Sequence, residues 1–217
     1  DPAVPVEKRV EDLLGQMTLD EKTCQLATLY GYGRVLKDKL PTPAWKKEIW
    51  KDGIANIDEQ LNGIPELGPQ AKRDFQTQVE KINDLVWPPS NHAKALNQIQ
   101  EWFWNETRLG IPVDFTNEGI RGLAHYRATC FPSQLGIGAT WNRNLVAKIG
   151  EVTAEEAKAL GYSNIYSPVL DLARDPRWGR VVECYGEDPF HVWELGSAQA
   201  TALEKNGVAS TGKHFAV

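Results

Sequence analysis

The feature that most constrains this chain is a regular alternation of short apolar runs with helical stretches. Residues 111–116, 164–171 and 208–215 are apolar runs of strand length, bounded by Gly, Pro and polar residues. Helical patterns precede and separate them at about 91–108, 142–160 and 188–206. Strand, helix, strand, helix, strand is the signature of βαβ units and therefore of a parallel sheet. The run 164–171 is mostly apolar, as a strand covered on both faces would be. Charged loops follow the strands, where α/β barrels and doubly wound sheets place their sites. No GxGxxG or GxxxxGK[ST] follows any strand, so a nucleotide-binding doubly wound sheet loses support. The fold expected is α/β: the N-terminal portion of a (β/α)8 barrel, with about four β/α units.

Local signals sharpen the boundaries. Val10, Leu13, Leu14 and Met17 recur at helical spacing, and Thr18 with Glu21 reads as a capping box that starts a second helix. Leu96, Ile99 and Phe103 predict the inner face of the 91–108 helix. Asn142 or Asn144 caps the next helix, whose inward residues are expected to be Leu145, Ile149, Val152 and Leu160, and Gly161 stops it. Asp188-Pro189 supplies an N-cap with Pro at the first helical position. Residues about 31–90 are Pro-rich and irregular, with one strand expected at 53–58.

Composition excludes several function classes. The 217 residues carry 24 Lys and Arg against 29 Asp and Glu, a net charge of −5, and no basic run. That balance does not fit a dedicated nucleic-acid surface. No apolar stretch approaches the ~20 residues of a membrane span. Cys24, Cys130 and Cys184 are widely separated, which excludes zinc-ribbon and CxxC chemistry and leaves small buried thiols as the plain reading. His92, His125 and His191 stand apart, and no pair has metal-ligand spacing, so neither a metal nor a cofactor is expected.

The chemistry gathers at the strand ends. Asn117-Glu118-Gly-Ile-Arg-Gly122 follows the first run, and Asp171 ends the second. The loop after it contains Arg174-Asp-Pro-Arg-Trp-Gly-Arg180 and Glu183-Cys-Tyr-Gly-Glu-Asp-Pro189, and Lys213-His-Phe215 closes the third. Carboxylates, Arg, Lys and His on one rim beside a Trp suit a sugar. A carboxylate accepts hydroxyl protons, the cations donate to hydroxyl oxygens, and an aromatic face stacks on C–H groups. Structural alternatives stand beside this. Glu118 can pair with Arg121; Asp171, Arg174, Asp175 and Arg177 can form a loop salt-bridge network; Glu183, Glu187 and Asp188 can anchor the loop and cap the helix; Trp178 can be core. Lys213 and His214 resist a structural account, because two such groups at an apolar strand end need partners.

The wording of these clusters resembles the barrel domain of the family 3 glycoside hydrolases. The likeness rests on Arg174-Asp-Pro-Arg-Trp-Gly-Arg180, Glu183, Gly186-Glu-Asp-Pro189 and Lys213-His-Phe215. It extends to Arg9-Val-Glu-Asp-Leu-Leu14, Met17-Thr-Leu-Asp-Glu-Lys22, Arg108-Leu-Gly-Ile-Pro112, Phe131-Pro132 and Gly138-Ala-Thr-Trp-Asn142. It covers 1–217 as the N-terminal part of that domain, with 31–90 resembling an insertion. The resemblance implies an exo-acting, retaining β-glycosidase, most simply a β-glucosidase acting on terminal β-D-glucosyl residues of oligosaccharides or aryl glucosides. It implies that Glu118, Arg180, Lys213 and His214 bind the sugar in the −1 subsite. It also implies that the Asp nucleophile and Glu acid/base come after Val217, in the rest of the barrel or in a second α/β domain. The family usually works outside the cytoplasm, which implies a secreted or periplasmic protein, and a homodimer stays open. Position 118 is Glu where many family glucosidases carry Asp, and a similar Glu occurs in family xylosidases. A β-xylosidase and a non-catalytic sugar-binding fragment therefore stay open as alternatives.

Overall fold

In the computed structural model the described residues are 2–29, 36–37, 40–41, 52–58, 89–125 and 127–214. The insertion expected over about 31–90 falls mostly outside them, as do Phe215 and the side chain of His92. The helices are α1 (Val6–Gln16), α2 (Leu19–Cys24), α3 (Pro89–Glu106), α4 (Gln134–Gly138), α5 (Arg143–Leu160) and α6 (Pro189–Lys205). The strands are β1 (Thr28–Leu29), β2 (Leu36–Lys37), β3 (Leu40–Pro41), β4 (Asn56–Asp58), β5 (Asp114–Asn117), β6 (Asn164–Ile165) and β7 (Ala209–Ser210). β2 and β3 form a small antiparallel pair. The other five make one sheet in chain order, β1-β4-β5-β6-β7, with every neighbour parallel. An all-parallel sheet whose spatial order follows the chain, with helices between β4, β5, β6 and β7, is the (β/α)8 pattern that the sequence predicts.

The alternation of side chains explains how the sheet is covered. Ile57, Phe115 and Ile165 point to the helices and bury against Leu96, Ile99, Phe103, Ala154 and Ala157. Asn56, Asp114, Thr116 and Asn164 take the opposite face and bond to one another there: Asn56 Nδ2 donates to Asp114 Oδ2 at 2.8 Å and to Thr116, and Asn164 Nδ2 donates to the same Asp114 oxygen at 3.3 Å. A second core joins Ile137, Val146, Ile149, Tyr185, Val192 and Leu195 between α4, α5 and α6.

The capping signals appear as expected. Thr18 and Glu21 form a reciprocal capping box, Asn142 caps α5, and Asp188 caps α6 with Pro189 at its start. Gly161 ends α5 at φ 86°, a conformation that Gly adopts without a Cβ clash. Two helical faces differ from expectation. α5 turns Val146, Ile149, Gly150, Thr153, Ala154 and Ala157 inward, while Leu145 is exposed and Val152 and Leu160 are only partly buried. Small residues set this rotation: a Cβ on Gly150 would stand 2.8 Å from Ala202 Cβ and 2.9 Å from the Gln199 carbonyl, so α5 and α6 meet along Gly and Ala. On α1, Val10 and Leu14 are exposed, and only Met17, just past the helix, is buried. The strands are also shorter than expected. β6 ends at Ile165, the Tyr166 N–H still donates to the Asn117 carbonyl at 2.9 Å, and past Pro168, which has no N–H to donate, pairing resumes as a single bridge between Val169 and Lys213.

Candidate functional site

The site lies where the parallel strands end. β5 delivers Glu118. The segment after β6 runs to Asp171, and β7 leads to Lys213 and His214. Backbone bonds fix the last two strand ends side by side: Lys213 N–H donates to the Pro168 carbonyl at 3.1 Å and Leu170 N–H to the Lys213 carbonyl at 2.6 Å. Arg180 and Glu183 arrive on the long loop, which the Ala173 N–H closes onto the Gly186 carbonyl at 2.9 Å and a 3-10 turn at Val181–Glu183 folds back.

Two connected sets of polar contacts result. Lys213 Nζ donates to Glu118 Oε1, with side-chain exposures of 15% and 29%, so both are largely withdrawn from water. The same Nζ lies 5.9 Å from the centre of the Tyr166 ring, within cation–π range. Tyr166 Oη donates to Asn56 Oδ1 at 3.1 Å. Burial pushes the Tyr166 phenol above its ordinary range, and Asp58 and Asp114 add to that. The second set is a chain of four side chains. Asp171 Oδ2 lies 2.7 Å from His214 Nδ1, and Arg180 Nη1 lies 2.9 Å from His214 Nε2. Arg180 then forks onto Glu183: Nε donates to Oε1 at 2.9 Å and Nη2 to Oε2 at 2.6 Å. That fork holds the Glu183 carboxyl below the usual carboxylate range and the Arg180 guanidinium above its own.

A cleft of about 580 Å3 opens beside His214, lined by Asp171, Arg174, Asp175 and Trp178. A neighbouring hollow of about 380 Å3 runs past Glu118, Arg121, His125 and Glu183. The rim thus offers committed carboxylates as acceptors and Lys and Arg as donors, beside one indole. That set can grip vicinal hydroxyls from several sides.

Glu118, Arg180, Lys213 and His214, the four residues singled out in the sequence, stand together on this rim. Two alternatives do not hold. Glu118 pairs with Lys213 while Arg121 is exposed, and Asp171 leaves the loop network for His214; only Asp175 and Arg177 form the loop pair, at 2.7 Å. Trp178 is half-buried and lines the cleft. Asp171, Glu183 and Tyr166 are site members that the sequence ranks as structural or passes over. The signals available in sequence differ: Tyr166 follows directly on β6, Asp171 ends the apolar run after it, and Glu183 stands three residues from Arg180. The cysteines form no disulfide, and burial raises the Cys184 thiol to about 11. Among the described residues no group of three or more His, Cys, Asp or Glu is placed to hold a metal ion.

With this geometry in place, likeness to known proteins becomes specific. The profile described as "Glycosyl hydrolase family 3 N terminal domain" matches residues 76–217, well over half of the chain. The chain belongs to glycosyl hydrolase family 3. Among curated family 3 relatives, a β-xylosidase of Formosa agariphila is 33% identical over 184 residues, 78% of this chain and 25% of that protein. A periplasmic β-glucosidase of Salmonella typhimurium is 32% identical over 213 residues, 95% of this chain and 23% of that protein. The β-glucosidase of Listeria innocua, solved in complex with glucose, superposes with a TM-score of 0.70 at 30% identity, covering 97% of this chain and 27% of that one. The chain therefore spans about a quarter of the length of the relatives it matches. Its α/β architecture matches the N-terminal barrel domain of family 3 β-glucosidases. No helix among the described residues is long and apolar enough to cross a membrane.

Proposed function

We propose that this chain supplies the −1 subsite of an exo-acting, retaining β-glycosidase, and that the enzyme is a β-glucosidase acting on terminal β-D-glucosyl residues of oligosaccharides or aryl glucosides. The observation that carries the proposal is the convergence of Glu118–Lys213 and Asp171–His214–Arg180–Glu183 on one rim. Glu118, Arg180, Lys213 and His214 bind the sugar hydroxyls in this reading, and the glucose complex of the Listeria innocua relative supports the choice of sugar. Retaining hydrolysis needs one carboxylate to attack the anomeric carbon and a second, about 5–5.5 Å away, to protonate the leaving oxygen. Glu118, Asp171 and Glu183 are each held by a cationic or imidazole partner, which suits binding and does not suit attack. The nucleophile and the acid/base are therefore assigned to the remainder of the barrel and a second domain, consistent with relatives about four times as long. The periplasmic relative supports action outside the cytoplasm.

A β-xylosidase is the second reading. It rests on Glu118 and on the Formosa agariphila relative. The extra methylene of Glu over Asp crowds the space that a glucose C6 hydroxymethyl needs and a xylose lacks. The test compares kcat/KM of the full-length enzyme on aryl β-glucoside and aryl β-xyloside. A xyloside preference of about tenfold, ~1.4 kcal/mol in transition-state binding, overturns the glucose assignment. Glu118→Asp is expected to shift the ratio toward glucoside, and an unchanged ratio removes the C6 argument. Hydrolysis at enzymatic rates by the 217-residue chain alone would refute the placement of the nucleophile elsewhere.

A further inference from the structure

We infer that Asp171 is a positioning residue that fixes His214 as its neutral Nδ1–H tautomer, so that Nε2, which meets Arg180 in this structure, is an acceptor that can take a hydrogen bond from a substrate hydroxyl. The inference rests on the sugar-binding reading and adds a direction to one of its hydrogen bonds. A guanidinium has five N–H donors and no acceptor. Arg180 Nη1, 2.9 Å from His214 Nε2, must therefore donate, and Nε2 must present a lone pair. The ring proton is then on Nδ1, where Asp171 Oδ2 receives it at 2.7 Å. An imidazolium would turn an Nε2–H against the N–H of Arg180, so this geometry belongs to the neutral ring. The Asp171 side chain is only 9% exposed, while that of His214 is 29% exposed and lines the cleft. The carboxylate thus works from behind the ring, and the ring meets the ligand.

The consequence concerns hydroxyl chemistry. A hydroxyl brings one proton and two lone pairs. Lys213 and Arg180 can only donate, so they fill lone pairs, and a hydroxyl proton beside them needs an acceptor in addition to the carboxylates already committed to cations. His214 Nε2 supplies that acceptor. At 2.9 Å there is no room for an oxygen between Arg180 Nη1 and Nε2, so an incoming hydroxyl takes the Nε2 lone pair by displacing that one N–H, while the other arms of Arg180 stay on Glu183. A ring locked by Asp171 presents this acceptor before the sugar arrives.

The test is the tautomer itself. Nitrogen NMR of the full-length enzyme labelled in histidine reads both ring nitrogens of His214, assigned by their loss in His214→Gln. The expected spectrum has a protonated Nδ1 and an unprotonated Nε2, retained in Arg180→Met because Asp171 is still present. Asp171→Asn, made beside Arg180→Met so that no guanidinium demands a bare Nε2, is expected to move proton density toward Nε2, because an amide can donate to Nδ1 as readily as accept from it. The kcat/KM of Asp171→Asn alone is expected to fall by about tenfold or more, taking removal of the outer partner of a metal-bound imidazole as the guide. A protonated Nε2 in the unmodified enzyme overturns the inference, and that measurement needs no variant to fold. So does an Asp171→Asn/Arg180→Met variant whose His214 signals match those of Arg180→Met alone. The expected tautomers without glycoside hydrolysis support the positioning role and remove the glycosidase reading; hydrolysis with the opposite tautomer does the reverse.

Discussion

Replacing Glu183 by Gln removes one negative charge and leaves the side chain nearly the same shape. Its effect can be worked out from the fork it breaks. Arg180 reaches Glu183 through contacts of 2.6, 2.9 and 3.0 Å. An amide offers one acceptor oxygen, and its NH2 group then faces a guanidinium N–H, so one arm of the fork becomes repulsive. A charged hydrogen bond contributes about 1.5–3 kcal/mol when withdrawn from water. The Arg180 side chain is 42% exposed and that of Glu183 is 18% exposed, so screening lowers this figure. We expect a net loss of about 1–2 kcal/mol for the pair. If the fork holds Arg180 in place for the sugar, kcat/KM falls roughly 5–30-fold. A double-mutant cycle with Arg180→Met, read as kcat/KM on an aryl glycoside with the full-length enzyme, isolates the coupling. Additive losses within about 0.3–0.5 kcal/mol would refute the reasoning. The pH dependence supplies a second check. The Glu183 carboxyl is held below its ordinary 4.5, so the pair contributes fully above that pH and is lost as pH falls through the depressed value. The stability difference between the unmodified protein and Glu183→Gln should therefore be full at neutral pH and shrink on acidification.

Gly138→Ala should destabilise the fold by about 1–3 kcal/mol, the range for overpacking. The added Cβ would stand 1.8 Å from the Tyr185 carbonyl oxygen, and Tyr185 is buried with its hydroxyl bonded to Gln199. An unchanged urea midpoint would show that this backbone gives way easily. Asp188→Ala should cost about 1 kcal/mol by removing the helix cap. Its Oδ1 accepts the His191 N–H at 2.7 Å. Asp188→Ser is expected to retain the stability that Asp188→Ala loses, with Asp188→Gly a few tenths of a kcal/mol below it, and an Asp188→Ala variant as stable as the unmodified protein would exclude the cap.

The alternation of strand and helix was legible because period and capping are local. Thr18, Asn142, Gly161 and Asp188 mark boundaries through bonds made within four residues. What was not legible depends on partners distant in sequence. The inward face of α5 is decided by Gly150 against Ala202 and Gln199, which no periodicity in 142–160 reveals. Likewise Glu118, Lys213 and His214 carry their own signal as charged groups beside apolar runs. The role of Asp171 appears only once β6 and β7 lie side by side and bring it to His214, 43 residues further along the chain. The loop-anchoring account of Glu183 holds, because its partner Arg180 stands three residues away on the same loop; what it misses is that Arg180 also touches His214.

The polar seam on the face of the sheet away from the helices has a consequence for register. The strands are two to four residues long, so their ladders contain few hydrogen bonds to resist a slip. Apolar packing against the helices is tolerant of small shifts. The seam is not: Asp114 gathers Asn56, Thr116, Ser163 and Asn164, and Asn164 in turn accepts from Thr211 at 2.9 Å. Moving any one strand by a residue would turn its seam member into the helical layer and leave the others with unpaired buried groups. Glu118, Asp171 and Lys213 each sit a fixed number of residues beyond that seam. It therefore acts as a datum line, setting the height of every strand end and with it the level at which the rim residues meet.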